Sequence, residues 1–561
     1  MERRLRDMLV DVLSGLGISA GNIEIEVPKD ASHGDFSTPV AMVLSKQLKK
    51  SPKMIAEDIK NRISDSNIFD SIEIAGPGFI NFRFSKKFIV SQMKELMSGG
   101  DRFLTENIGR GKRIQIEFVS ANPTGPMHLG HGRGAAVGAA LANLLSAAGY
   151  SVEKEFYIND AGRQVKMLGH SVFAKYVDEL VNKGHSPYDP SWKTGYPFPE
   201  DGYRGDYVEE LAKEFKDEYG ERFVAREFDE VSETVIDFAY RKMLDLIKKD
   251  LADFGVHFDT WQSEKEIHEQ NEVQQAIDDL RGRGFIYDND GAVWFKSTEF
   301  GDDKDRVVVK NDGDYTYFAP DIAYHRKKIL RGFDELIDIW GADHHGYVPR
   351  MQAVIQALGH PKDSLKVILV QMVSLLKAGR PVQMSKRAGE FITLREVMDD
   401  IGPDTTKFLF LTRRSDSHLE VDIEVAKAQS SENPVYYVQY AHARINSIFA
   451  KATENSPQSS AGSRDLTDFN GELFNDEEVK IIKKMLLYPM VFKNAALARE
   501  PHRITFYLQE VAGMFHPYYH RHKVVTEDTE LTKARLALCY AVKTVLRHGL
   551  GILGVTAPEK M

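Results

Sequence analysis

The chain has 561 residues, of which 42% are hydrophobic and 28% charged, so it is globular in composition and too long for one hydrophobic core. It contains no run of about 18 apolar residues to span a membrane, no apolar signal-peptide core in its first helix, and one cysteine, which excludes a disulfide framework. These features predict a soluble, cytoplasmic protein of three or four domains. The net charge of −10 argues only mildly against a nucleic-acid partner, because a locally basic region can still contact phosphates.

Residues 1–108 have the pattern of a separate small α+β domain. Apolar residues repeat at helical spacing in the first segment, at Leu5, Met8, Leu9, Val12 and Leu13. Ser51-Pro52 provides a cap and a first-turn proline for a later helix. The stretch IEIAGPGFINFRF (72–84) predicts two short strands around a Gly-Pro-Gly turn.

The stretch 114–150 organises the chain as a strand, a loop and a helix. Ile114, Ile116 and Phe118 suit a buried strand, and the Pro- and Gly-rich loop after it breaks regular structure. From Gly132 the small residues of GRGAAVGAALANLL permit a helix packed very close to a sheet. Such a unit opens a doubly wound, Rossmann-type α/β fold, whose ligand binds beyond the carboxyl end of the strand.

His128-Leu129-Gly130-His131 stands where that ligand would bind. The phosphate-binding signature G-x-x-x-x-G-K-[ST] is absent. Two imidazoles at a helix start face one ligand together with the positive end of the helix dipole, and they can stabilise charge on a phosphoryl group. The pair could instead cap the helix structurally or form half of a zinc site, although the single Cys539 offers no cysteine cluster.

Further strand and helix signals follow in order. SVEKEFYIND (151–160) predicts a second strand leading into a helix, and residues 170–300 predict an acidic, helical insertion. The sheet is expected to resume around Ala292–Phe295 and Val307–Lys310. Tyr317 and Asp321 lie four residues apart, so a helix there would project both to one side.

A third strand–turn–helix unit ends in Gly341, Asp343 and His344, where a doubly wound fold places ligand contacts. A zinc site at His344-His345 is the alternative, but further ligands are lacking. Beyond this unit, Gln383-Met384-Ser385-Lys386-Arg387 forms a basic loop segment.

The chain becomes all-helical from residue 434. Four apolar residues share one face of the first helix and three tyrosines lie beside it: Val435, Val438, Ala441, Ile445, Tyr436, Tyr437 and Tyr440. Residues 481–561 hold 12 Lys and Arg against 6 Asp and Glu, a local charge of +6. Aromatic and basic side chains suit single-stranded RNA loops, although a tyrosine stripe can also belong to a core.

Two motifs resemble those of a known family. ANPTGPMHLGHGRGA (121–135) resembles the HIGH signature of class I aminoacyl-tRNA synthetases in the form found in arginyl-tRNA synthetases. The 383–387 segment resembles the second signature, KMSKS, a mobile loop over the ATP phosphates, with Lys386 matching its second lysine. Gln383 replaces the first lysine, whose role could pass to Lys377, Arg380 or Arg387.

The resemblance extends over nearly the whole chain. It implies an N-terminal domain (1–108) at the outer corner of the tRNA, a catalytic domain (109–433) with the insertion at 170–300, and a helical anticodon-binding domain (434–561). The implied reaction joins L-arginine and ATP into arginyl-adenylate and transfers arginine to tRNA(Arg), with tRNA bound first. The expected partners are tRNA(Arg), arginine, ATP and Mg²⁺, with no tightly bound cofactor, no membrane, no editing domain and a monomeric state.

A guanidinium group is planar, permanently charged and rich in donors, so its site needs carboxylates. The resemblance assigns arginine binding to Glu117, Ser120, Asn122, His128, Tyr317 and Asp321, with Tyr317 closing over the guanidinium. It assigns ATP binding to His128, Gly130, His131, Gly341, Asp343, His344, Met384, Ser385 and Lys386. His128, His131 and Lys386 are the predicted catalytic residues, and no metal ligand is predicted. Alternatively, Glu117 and Asp321 pair with protein arginines.

Two other functions remain open at this point. One is a HIGH-type nucleotidyltransferase or a synthetase for another amino acid. The other is an RNA-binding protein whose catalytic site has decayed, against which the intact His128, Gly130, His131 and Lys386 argue.

Overall fold

The computed structural model describes residues 1–19, 21, 23–63, 67–182, 197–224, 226–377, 379–381, 392–454 and 466–561. The elements of the first 104 residues are α1 (Glu2–Gly15), β1 (Phe36–Thr38), α2 (Val40–Leu48), α3 (Pro52–Arg62), β2 (Phe69–Ala75), β3 (Phe79–Phe84), α4 (Lys86–Gly99) and α5 (Asp101–Leu104).

The N-terminal region is the predicted small α+β unit. The three strands form an antiparallel sheet in the order β1-β3-β2, and the predicted hairpin is β2–β3. Leu5, Leu9 and Leu13 of α1 are buried at the predicted spacing. Ser51 caps α3, because its hydroxyl accepts a hydrogen bond from the Met54 N–H at 3.4 Å. The short strand β1 has no sequence signal of its own and exists because it pairs with β3.

The elements of the central region are β4 (Arg113–Glu117), α6 (Leu129–Ala147), β5 (Ser151–Ile158), α7 (Arg163–Asn182), α8 (Asp206–Tyr219), α9 (Phe228–Asp253), β6 (Thr260–Ser263), α10 (Glu264–Glu269), α11 (Glu272–Gly282), β7 (Ile286–Asn289), β8 (Ala292–Phe295), β9 (Arg306–Val309), α12 (Phe318–Leu330), β10 (Glu335–Gly341), α13 (Val348–Ala357), β11 (Leu365–Val370), β12 (Val373–Lys377), β13 (Arg380–Pro381), α14 (Leu394–Ile401), α15 (Pro403–Phe410), β14 (Leu419–Asp422) and α16 (Ile423–Lys427).

A parallel sheet forms the centre of this region, with strand order β11-β10-β4-β5-β6. From β4 the chain adds β5 and β6 on one side, and β10 and β11 on the other, so β4 lies at the switch point of a doubly wound fold. Helix α6 packs against this sheet so closely that a Cβ at Gly138 would lie 2.3 Å from the Phe118 ring. The predicted Rossmann-type architecture is confirmed.

The expectation that the main sheet resumes at Ala292–Phe295 and Val307–Lys310 is wrong. β7, β8 and β9 form a separate antiparallel sheet. Asp290 and Gly291 join β7 to β8 with positive φ angles of 49° and 77°, the two-residue turn that right-handed strand twist favours in a hairpin. A link this short cannot cross over to a parallel neighbour.

The C-terminal region consists of helices, as predicted. They are α17 (Pro434–Glu454), α18 (Asp476–Leu486), α19 (Tyr488–Ala498), α20 (His502–Arg521) and α21 (Thr529–Ile552). The predicted apolar face of α17 is buried, and α19 and α21 pack against α6. The insertion helices α7, α8 and α9 enclose a smaller core of their own. Within the described ranges, no helix is both long and apolar enough to cross a membrane.

Candidate active site

A cavity of about 230 Å³ opens at the carboxyl ends of β4 and β10, where the strand order reverses. Glu117 and Ser120 line it from β4 and the following turn, and Asp321 lines it from the first turn of α12. Gly341 and His344 lie at its edge, on the short helical turn Ala342–Tyr347 that follows β10. The structure thus brings together five residues that the sequence predicted in three separate stretches.

The backbone after β4 has an uncommon conformation. Val119 and Ser120 have φ angles of 70° and 39°, in a region that β-branched and other non-glycine residues rarely adopt. This turn points the Ser120 hydroxyl back to donate to Glu117 Oε1 at 2.9 Å. Such strain is concentrated at functional sites, where the surrounding fold maintains it.

Asp321 is a largely enclosed carboxylate with no cationic partner in the described ranges. It accepts a short hydrogen bond from the Tyr347 hydroxyl, and no described Lys or Arg nitrogen lies within 4 Å of it. Burial raises the pKa of Asp321 to about 6, although the Tyr347 hydrogen bond opposes that shift. A cationic ligand in the cavity would offset the energetic cost of ionising this enclosed carboxylate.

Glu117 has an internal partner. Its Oε2 accepts from the buried Lys328 Nζ at 2.6 Å, and the same ammonium donates to Asp338 Oδ1 at 2.8 Å. Burial raises the pKa of Glu117, and Lys328 opposes this shift. Among the described residues, neither Glu117 nor Asp321 pairs with an arginine, which was the alternative explanation for these two acids.

Two other predicted arginine-binding residues, Asn122 and Tyr317, do not line the cavity. Asn122 donates through its side-chain amide to Gln164 Oε1 at 2.7 Å. Tyr317 is 87% exposed at the N-terminus of α12, so it does not line the cavity, and Tyr347 contacts Asp321 instead. The closing of Tyr317 over a ligand stays a prediction.

Sequence reasoning missed several residues in and around the cavity. Tyr347 and His325 line the cavity and were not predicted, and neither were Glu264 and Lys328, which lie beside it. Tyr157, which also lines the cavity, was noted only as lying near a junction. Glu264 is buried at the start of α10, and burial together with the nearby Asp321 raises its pKa to about 7. His325 and Lys328 follow Asp321 at spacings of four and seven, which place all three on one helical face; that signal was available.

His128 and His131 stack on each other at the start of α6, with ring centroids 3.7 Å apart. His128 Nδ1 accepts from the Gly130 N–H at 3.0 Å, and His131 Nδ1 faces the His128 N–H at 3.4 Å, so each ring carries its proton on Nε2. Burial, and then His128, lower the pKa of His131 to about 3. The pair therefore caps the helix, as the structural alternative proposed, and also supplies two neutral donors.

The second predicted motif, with Gln383, Met384, Ser385, Lys386 and Arg387, lies outside the described residues. The described segments on either side of it contact α6. Upstream of the motif, the Gln371 carbonyl accepts from the fully buried Arg133 of α6 at 2.9 Å. Downstream, Arg133 also donates to the carbonyl oxygens of Arg414 and Ser417 at 2.8 Å, and the Leu394 N–H donates to the Met127 carbonyl at 2.7 Å. Thr393, just after the motif, pairs with His128 through the backbone, so the downstream flank lies beside the paired histidines.

Asp343 and His344 are exposed, with His344 Nε2 3.6 Å from Asp343 Oδ2. Outside the gaps in the described ranges, no group of three or more His, Cys, Asp or Glu residues is placed to hold a metal ion. The zinc interpretations of His128–His131 and His344-His345 therefore gain no further ligand from that part of the chain.

A cluster of aromatic and basic side chains lies on α17 and α20. The Tyr436 and Tyr440 rings stack 5.5 Å apart, and the Arg444 guanidinium lies over the Tyr440 and Tyr519 rings. The Tyr437 ring packs on His516 with centroids 4.3 Å apart. These rings are partly exposed, so the tyrosine stripe is not simply core.

Three family models match the chain. Residues 3–84 match the arginyl tRNA synthetase N terminal domain, residues 92–448 the catalytic domain of class I tRNA synthetases (R), and residues 438–561 the DALR anticodon binding domain. The catalytic match alone covers more than half of the chain.

Similar proteins span its full length. An arginine--tRNA ligase of Citrifermentans bemidjiense is 48% identical over 541 residues, covering 96% of this chain and 95% of that protein. One of Geobacillus thermodenitrificans is 45% identical and covers 100% and 99%. The solved arginyl-tRNA synthetase of Thermus thermophilus is 20% identical, covers 100% of both chains and has a TM-score of 0.75, which is a likeness of fold.

Proposed function

The chain belongs to the arginyl-tRNA synthetase family, and from this membership we propose that its cavity holds the arginine side chain while the paired histidines act on ATP. The reaction is the ATP-dependent activation of L-arginine and its transfer to the 3′ end of tRNA(Arg), giving AMP and pyrophosphate. Full-length similarity to arginine--tRNA ligases removes the support for another amino-acid specificity or for a decayed enzyme.

One observation supports arginine most directly. Asp321 is an enclosed carboxylate with a hydroxyl partner but no described cation, at the ligand-binding end of the sheet. A guanidinium would supply the missing charge and several donors. Glu117 and Glu264 lie close by and add acceptors for the side chain or the α-ammonium group. Ser120 and Asn122 remain proposed contacts of the arginine backbone groups.

The paired histidines support the ATP role. Their Nε2 protons and the N-terminus of α6 offer donors for the charge that builds on the α-phosphate during adenylate formation. Gly341, Asp343 and His344 lie at the neighbouring edge of the sheet and remain proposed nucleotide contacts. We assign the polyphosphate contact to Met384, Ser385 and Lys386 from the sequence motif alone.

Mg²⁺ enters this proposal as part of the substrate. It binds proteins through one or two carboxylates together with substrate phosphates, so MgATP is the expected form of the nucleotide. The chain's own contribution is to position the two substrates and to stabilise charge, without a covalent enzyme intermediate.

The helical domain supports tRNA binding. Tyr436, Tyr440 and Arg444 offer partly exposed ring and guanidinium faces, on which unpaired anticodon bases could stack. From the family likeness we also propose that the protein acts as a monomer in the cytoplasm.

The decisive experiment measures ATP–pyrophosphate exchange with each amino acid, with and without tRNA(Arg). We expect exchange with arginine only, stimulated by tRNA, followed by arginylation of the tRNA. Exchange with another amino acid, or none with any, would overturn the assignment.

Arginine affinity should depend on pH through Asp321. The pKa of Asp321 in the protein without a ligand is about 6. A bound guanidinium favours the ionised form, so arginine binding releases a proton below that pH. We expect the affinity to be highest near pH 8, to begin to fall around pH 7, where the proposed acceptor Glu264 also takes up a proton, and to fall by up to about tenfold per pH unit below 6. Calorimetric titration across pH 5–8 measures this, and Asp321→Asn should flatten the profile. Equal wild-type affinity at pH 5 and pH 8 would contradict the role.

Tyr436→Ala should weaken tRNA binding selectively. Loss of one stacking ring costs about 1–3 kcal/mol, so the KM for tRNA should rise while the KM for arginine stays unchanged. Aminoacylation kinetics measure both, with Tyr219→Ala at the end of α8, another partly buried tyrosine, as the control for loss of a packed ring. Deleting the domain is a poorer test, because α19 and α21 pack against α6. An unchanged tRNA KM would exclude Tyr436 from the interface.

A further inference from the structure

Three carboxylates lie side by side across the centre of the main sheet. Glu117 of β4 is in register with Glu155 of β5 on one side and with Asp338 of β10 on the other. Neighbouring residues in parallel strands point to the same face, so these acids form a carboxylate row (Glu155, Glu117, Asp338) beneath α12. Their exposed fractions are 0%, 7% and 0%. Uncompensated, such a row would be strongly destabilising.

Helix α12 and the residue after it supply the opposite charges. Arg331 pairs with Glu155, Lys328 bridges Glu117 and Asp338, and His325 Nε2 lies 2.8 Å from Asp338 Oδ2. His325 Nδ1 faces the Asp321 carbonyl oxygen at 2.8 Å, so both ring nitrogens face acceptors. Every acid of the row therefore has a cation or an imidazole ring. Asp321, one turn further towards the start of α12, has the Tyr347 hydroxyl but no cationic partner among the described side chains.

Lys328 occupies the centre of this arrangement. Its side chain is 0% exposed, and its ammonium also lies 4.3 Å from the centre of the Tyr324 ring, so the three donors are taken up by the protein. Lys328 thereby holds Glu117 Oε2 on the side away from the cavity. Glu117 Oε1 faces the cavity, where it accepts a hydrogen bond from the Ser120 hydroxyl. Lys328 does not line the cavity, so it can act on a ligand only through Glu117.

We propose that Lys328 is a specificity-determining positioning residue: it neutralises and orients Glu117, so that the pocket offers an incoming guanidinium one unpaired charge, at Asp321, and one fixed acceptor, at Glu117. This inference rests on the proposed arginine site. The substrate then becomes the next cation in the series that Arg331 and Lys328 begin. A lysine ligand carries the same charge as arginine but lacks the planar fork of five donors, so it should bind more weakly.

The test compares Lys328→Met with Lys327→Met. Lys327 is the neighbour on the same helix, and it pairs with Glu272 outside the pocket at 3.1 Å. We expect Lys328→Met to weaken arginine binding roughly tenfold or more, because it leaves Glu117 buried without its cation. Lys327→Met should change it less than about twofold, because neither Lys327 nor its partner Glu272 lines the pocket. ATP affinity should be unchanged in both, and Lys328→Arg should restore arginine binding.

The pH profile separates positioning from a general structural effect. Glu117 faces Asp321, Tyr324, His325 and Lys328 of α12, Asp338 of β10, and Glu155 and Tyr157 of β5. Of these groups, Lys328 does most to keep Glu117 ionised against burial. In Lys328→Met the loss of arginine affinity on acidification should therefore begin at higher pH than in the wild type. A purely structural defect would lower affinity at every pH equally.

A comparison made in the absence of the Glu117 charge tests the proposal even if Lys328→Met alone folds poorly. Glu117→Gln and Glu117→Gln/Lys328→Met should bind arginine within about threefold of each other, since the lysine acts through the missing charge. A further tenfold loss in the double variant, or wild-type affinity and pH profile in Lys328→Met, would overturn the inference. If the wild type itself failed to bind arginine, the proposed function would fail instead, so the two failures are distinguishable.

Discussion

Asp321→Asn is expected to abolish most arginine binding while leaving the fold and ATP affinity intact. The carboxylate is enclosed, and no described cation pairs with it, so the guanidinium is its expected ionic partner. Breaking a desolvated charge pair costs about 2–5 kcal/mol, which corresponds to a loss of roughly thirty-fold to several thousand-fold in affinity. Calorimetric titration of arginine into the folded variant measures it.

Asp279→Asn provides the matched control. Asp279 lies on α11 and binds Arg326 of α12 at 3.0 Å from outside the pocket, so its loss perturbs the same helix without touching the cavity. It should bind arginine normally. Unchanged affinity in Asp321→Asn would remove this residue from the pocket and leave the arginine site resting on family likeness.

His128→Ala and His131→Ala should each raise the barrier of adenylate formation by about 2–4 kcal/mol, the usual effect of removing one transition-state donor. Because the two rings stack 3.7 Å apart, the double variant should fall short of the sum of the single losses. ATP–pyrophosphate exchange at saturating arginine and tRNA measures the rate.

Both substitutions also disturb the cap of α6, so an effect on folding stability must be distinguished from an effect on the rate of adenylate formation. Loss of a capping side chain costs about 0.5–2 kcal/mol of stability. His128→Asn keeps a capping acceptor, and His131→Gln keeps the partner at the third helical position. These variants should recover the melting temperature but not the exchange rate. Near-normal exchange in a folded double variant would contradict a catalytic role.

Local features of this molecule were predictable because they depend on residues close together in the chain. The Ser51 cap, the β2–β3 hairpin, the buried stripe of α17 and the strand–loop–helix unit at residues 114–150 follow from short-range geometry. The Asp290-Gly291 turn was a similar signal, and it would have predicted the separate hairpin that was instead assigned to the main sheet.

The sequence by itself determined the family and the order of the motifs, and it predicted Glu117 and Asp321 as the acids suited to a guanidinium. It also placed Asp321, His325 and Lys328 on one helical face, since that depends only on the helical repeat. What that face meets depends on the tertiary structure. Lys328 reaches Glu117 across 211 residues of chain, and only the register of three strands aligns Glu117 with Glu155 and Asp338. The same packing leaves Tyr317 in solvent and brings Tyr347 to Asp321. Which groups compensate a buried charge depends on its neighbours in space, and the helical repeat of the sequence does not specify those neighbours.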